Sequence, residues 1–130
     1  MVPRVSAYVR VAVDAPPREA VDALRAALAA RGIIEYALVD HGHDMAAAGA
    51  GEFPAWTLVF GNPAAGARVL ARDLSAAVDI PLRMAVIAAG DGSELVFRDM
   101  RTLLGDDLQE IAATLTGALR DLATAVREAT

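Results

Sequence analysis

Residues 56–83 read WTLVFGNPAAGARVLARDLSAAVDIPLR, and this stretch decides the fold. Trp56 to Phe60 is a short apolar run with β-branched and aromatic bias, which predicts a strand. Gly61 ends it, because glycine lets the chain turn or lets another group approach closely. Asn62 offers a side-chain oxygen to the unpaired N–H groups of a helix start. Pro63 suits the first helical position, where a missing N–H costs nothing. The helix runs through Ala67, Val69, Leu70 and Ala71 and fades near Asp73. Gly66 lies inside it at a cost of about 1 kcal/mol against alanine, so either a backbone or a ligand approaches there. Asp79-Ile80-Pro81 returns the chain into the next strand.

The plain reading of this turn is a capped strand-to-helix connection. The functional reading is a cradle for a small anion or ligand, because helix N–H groups and the helix dipole point at it. It is not a Walker loop: Ala67 and Arg68 stand where Lys and Ser/Thr would be. Its glycine spacing also differs from the dinucleotide fingerprint.

Going backwards, Val9, Val11 and Val13 alternate with Tyr8, Arg10 and Ala12 in a half-buried strand over 5–13. Asp14-Ala15-Pro16-Pro17 turns into a helix whose stripe is Val21, Leu24 and Leu28. Gly32 stops it at the C′ position. Ile33 to Asp40 is nearly all apolar, which predicts a central strand. Strand, helix and strand form a βαβ or split βαβ unit. Gly42 to Pro54 is a glycine- and alanine-rich connection with one helical turn at 44–48.

Going forwards, Leu82–Ala89 and Glu94–Arg98 are strands, with Asp91-Gly92 as the hairpin signal between them. Asp106 or Asp107 is expected to cap a final helix with the stripe Leu108, Ile111, Leu115, Leu119, Leu122 and Val126. The expected fold is α+β: one domain over 1–130, with a roughly five-stranded, mainly antiparallel sheet packed on two or three helices.

The segment FGNPAAGARVLARDLSAAVDIPLRMAVIAAGDGSELVFRD resembles the domain-of-unknown-function family 302, a group of small bacterial and archaeal α+β domains. Phe60-Gly61-Asn62-Pro63, Asp79-Ile80-Pro81-Leu82 and Asp40-His41 carry the resemblance, which extends over roughly 5–105. It implies a small α+β domain, often a homodimer, with no established activity. The segment from His41 to Trp56 departs from the family's usual alanine-rich helix.

Composition narrows the function. The 130 residues carry a net charge of −5, which argues against a nucleic-acid footprint. There is no cysteine and no lysine, so disulfides, thiolate metal sites and lysine Schiff bases are excluded. No apolar run reaches the ~20 residues that span a bilayer. A cytoplasmic location is expected.

Asp40-His41-Gly42-His43-Asp44 is the densest polar cluster. If the strand continued, His41 and His43 would share a face and could hold zinc or copper, although a third ligand is wanting. A histidine near neutrality could also serve as a general base. No serine stands in a nucleophile motif, and no residue is assigned a catalytic role. Asp79 and Arg83 are expected to form an ion pair, or Arg83 to face a bound anion near Asn62.

The expected function is a small-ligand-binding or accessory domain. Its site comprises His41, Gly61, Asn62 and Arg83, with no cofactor required. The alternatives are a metal-dependent or histidine-based hydrolase using His41 and His43, and a homodimeric interaction module without ligand.

Overall fold

The computed structural model describes residues 8–130. Strand β1 (Tyr8–Val13) leads into helix α1 (Pro17–Ala30), strand β2 (Ile34–Asp40) and helix α2 (His41–Ala47). Strand β3 (Ala55–Gly61), helix α3 (Pro63–Leu70) and a 3-10 segment at Leu74–Asp79 follow. The chain closes with β4 (Leu82–Ala89), β5 (Gly92–Arg98), two short 3-10 turns and helix α4 (Gln109–Ala129). The expected strand positions before Tyr8 lie outside the described residues.

The five strands form one sheet in the order β1-β5-β4-β3-β2, and every neighbouring pair is antiparallel. The first unit is therefore a split βαβ, with β1 and β2 parallel at opposite edges. This corrects the expected central position of β2. Its apolar run reads as a strand covered on both sides, yet Ile34, Tyr36 and Leu38 are all exposed. Among the described residues β2 pairs only with β3, and its register shifts between Glu35 and Ala37.

Alternation divides the sheet into two faces. Val9, Val11 and Val13, with Leu58, Phe60, Met84, Val86, Leu95 and Phe97, face the core. Helices α1 and α4 cover this face, packed side by side. α1 buries Ala20, Val21, Leu24 and Leu28. It ends in a Schellman motif: Ile33 N–H donates to Leu28 O, Gly32 N–H donates to Ala29 O, and Gly32 has a φ of +65°.

α4 buries Ala112, Thr116, Leu119, Leu122, Ala123 and Val126. Leu115 is only half-buried, because the stripe drifts around the helix and Thr116 takes the inner position. The Thr116 hydroxyl accepts from Met100 N–H at 2.9 Å and donates to Ala112 O at 2.9 Å. The expected aspartate cap is not formed. Asp106 and Asp107 lie in a 3-10 turn, and Leu108 precedes the helix with no side-chain cap bond. Gln109 instead donates to the Leu104 carbonyl at 2.9 Å. Beside this corner, Asp99 bonds the Arg101 guanidinium at 2.6 Å, which holds its carboxyl down at about 2.

No helix among the described residues is long and apolar enough to cross a membrane.

Candidate functional site

Among the described residues, α1 and α4 lie on the core side, and the short helix α2 meets the sheet's second face at β3. Each strand presents its other set of residues there, and the register arranges them in rows. One row runs Arg10, Val96, Ala85, Thr57, Val39 from β1 to β2. The neighbouring row begins with Tyr8 opposite Arg98 and ends with Arg83 opposite Val59. A cleft of about 480 Å³ opens on this face, with Ala85, Ile87 and Val96 as apolar floor, Arg10, Arg83 and Arg98 among its walls, and the core-side residues Phe97, Met100, Leu103 and Leu119 also in its lining. Toward the sheet's end it reaches Val78 and Asp79.

The expected residues reach this face unequally. Arg83 stands on it, in the cleft wall. Asp79 lines the same cleft, but the expected Asp79–Arg83 ion pair is absent from those formed among the described residues, which are Arg10–Glu94, Arg25–Glu35 and Arg101–Asp99. The Ile80–Pro81 peptide between them is cis.

His41 reaches the face indirectly. Asp40 caps α2 by accepting from His43 N–H at 2.9 Å, so the chain turns helical at His41 instead of continuing the strand. His41 Nε2 then lies 2.8 Å from the Thr57 hydroxyl, and Thr57 lines the cleft. On a helix, positions two apart are roughly 200° around the axis at ~100° per residue. The premise that His41 and His43 share a face therefore fails. Among the described residues no three His, Cys, Asp or Glu side chains gather as a metal-binding group.

Gly61 and Asn62 stand elsewhere. Asp40 pairs with Trp56 and Ile34 with Gly61, so His41 and Asn62 lie at opposite ends of β3. At ~3.3 Å per residue this is on the order of 20 Å. The expected site with Asn62 facing His41 is not assembled, because the second strand runs antiparallel to the third and ends at its start. Asn62 Oδ1 accepts from Ala64 N–H at 2.9 Å, so its side chain is engaged in capping α3. A Cβ on Gly61 would meet Tyr36 and Pro81 at 3.5 and 3.6 Å, and one on Gly66 would meet Ile80 at 3.9 Å. These are ordinary packing distances, and protein atoms account for both approaches.

Sequence reasoning did not single out Tyr8, Arg10 and Arg98. Their guanidinium groups converge on one ring: Arg98 lies 5.3 Å and Arg10 5.9 Å from the Tyr8 centroid. The signal was present in the alternation of β1 and β5, where Arg10 lies on the side opposite Val9, Val11 and Val13, and Arg98 on the side opposite Leu95 and Phe97.

A family model described as Domain of unknown function DUF302 matches residues 9–127. The crystal structure of an uncharacterized conserved DUF302 protein from Bacillus stearothermophilus is similar with a TM-score of 0.87 at 21% identity, over 95% of this chain and 100% of that one. At that identity the likeness speaks for the fold. No curated protein matches the chain.

Proposed function

The chain belongs to the DUF302 family, and from that premise we propose that it is a cytoplasmic small-ligand-binding domain whose site is the cleft on the sheet face away from α1 and α4. The observation that carries this is the half-buried apolar floor of Ala85, Ile87 and Val96 beneath a cleft of about 480 Å³. Small-molecule sites are typically clefts of roughly 300–1,000 Å³ with apolar linings and a few polar groups.

The test is Ala85→Phe, which puts a ring on the floor without touching the core. Wild-type protein, titrated with small amphipathic molecules, is expected to show saturable amide shifts at Thr57, Ala85 and Val96. Ala85→Phe is expected to weaken that binding about tenfold or more, ~1.4 kcal/mol, with an unchanged denaturation midpoint. Shifts confined to another surface, or equal binding by the variant, would overturn the assignment.

A second reading rests on a different surface. The outer edge of β2 has no partner strand among the described residues, and Tyr36 there is 50% exposed. Glu35, a charge that would discourage edge pairing, is held by Arg25 at 2.8 Å. This supports a homodimer joined through β2 with a largely apolar interface. Light scattering from micromolar to millimolar concentration is expected to return twice the 13.5 kDa chain mass. A single-chain mass throughout that range rejects it.

A further inference from the structure

The charges around the cleft identify what it takes. The β4–β5 pairing ends at Ala85 and Val96, and Arg83 and Arg98 stand two residues beyond that pair, both lining the cleft. Arg10, one row away, is neutralised by Glu94 at 3.2 Å. Arg83 and Arg98 are not: among the described residues neither has a carboxylate within ion-pair distance. Arg98 Nε is moreover buried with no hydrogen-bond acceptor among the described residues. A buried donor normally has a partner. Tyr8 packs against this guanidinium at 5.3 Å and restricts where it can point. An acidic chain of net charge −5 thus keeps two cations without an ion-pair partner among the described residues at one cleft, whose lining also includes Asp79.

We infer that the cleft's ligand is an organic oxyanion, a carboxylate or phosphate monoester on a small apolar body, clamped by Arg83 and Arg98. The oxygens lie across the two guanidinium groups, which accommodates charge-assisted and bidentate bonds. The body lies over Ala85 and Val96, one row along, a reach of ~7 Å at ~3.3 Å per residue. That is the length of about one ring or a short aliphatic chain. The inference rests on the cleft being the ligand site.

The experiment is amide-shift titration of the full chain at low salt with benzoate, phenyl phosphate, inorganic phosphate and the neutral benzamide. At least one of the two organic oxyanions is expected to give saturable shifts around Arg83 to Ala85 and Val96 to Arg98. Benzamide and inorganic phosphate are expected to bind about tenfold or more weakly. Arg83→Gln and Arg98→Gln are each expected to weaken the oxyanion about tenfold, as for loss of a charge-assisted bond, and to leave benzamide unchanged. Arg83 is exposed, so Arg83→Gln tests the clamp even if Arg98→Gln disturbs the fold. Benzamide binding as tightly as benzoate, or glutamine variants binding like wild type, overturns the anion clamp and leaves the cleft as a site. Inorganic phosphate matching phenyl phosphate overturns the apolar body. No shift with any probe removes the clamp together with the cleft.

Discussion

Replacing Leu122 by alanine is expected to lower the unfolding free energy by ~2–5 kcal/mol, the range for truncating a buried leucine. Leu122 is 2% exposed and sits in the single buried cluster of the described residues. Its helix, α4, lies beside α1 and across β1 and β5. The loss has two parts: the transfer free energy of the removed carbons, and a cavity that the surroundings cannot fill. Sheet pairing resists collapse on one side, and α1 is locked by its own buried stripe on the other. Leu115→Ala on the same helix provides the comparison. Leu115 is only half-buried, so its truncation is expected to cost less than Leu122→Ala, with water occupying part of the space. Chemical denaturation at unchanged slope measures both. A Leu122→Ala loss below ~1 kcal/mol would mean that α4 is not part of the cooperative core.

Locally encoded features were legible in the sequence, and distant ones much less so. Asn62-Pro63 and Gly32 form the expected helix start and stop because each acts within a few residues of itself. The β1, β3 and β4 runs were legible for the same reason. Strand order was not. Ile33 to Asp40 carries the composition of a doubly covered strand, but coverage is decided by what the rest of the chain places beside it. Here, among the described residues, β3 alone pairs with it, and α1 touches it on one side. The error at the site has the same origin. His41 and Asn62 both flank strands that pair, and one antiparallel register sends them to opposite ends. The pairing of β1, β5 and β4 likewise brings Tyr8, Arg98 and Arg83 to one cleft. Period-two alternation could have assigned each of them to the side away from the core. It could not have said that the three strands stand next to one another, nor that α1 and α4 both pack on the other side.

Gly92→Val is expected to cost ~1–3 kcal/mol or more, as overpacking does when the obstructing atoms are backbone. The sequence points to Asp91-Gly92 as the hairpin centre. In the structure Ala89 pairs with Gly92, so Gly90-Asp91 is the two-residue turn and β5 already begins at Gly92. Gly90 carries the positive φ, +55°, that the turn requires. Gly92 is glycine for a different reason: a Cβ there would lie 2.5 Å from the Val13 carbonyl oxygen and 3.6 Å from Ala15 N. The carbonyl cannot swing aside easily. Val13 pairs with Ser93, and the buried Ser93 hydroxyl donates to Ala15 O at 2.6 Å. Relieving the clash means loosening the corner where β1 passes into α1. Gly90→Ala separates the two roles, since nothing stands within 4 Å of a Cβ at Gly90 and only the left-handed backbone strain, ~1–2 kcal/mol, is added. Amide hydrogen exchange adds a local readout. Gly92→Val is expected to speed exchange along β1 toward Val13, whereas Gly90→Ala leaves those amides protected relative to its own global stability. A Gly92→Val midpoint within ~0.5 kcal/mol of wild type, with β1 exchange unchanged, would show that the corner yields without cost and that the close approach is incidental.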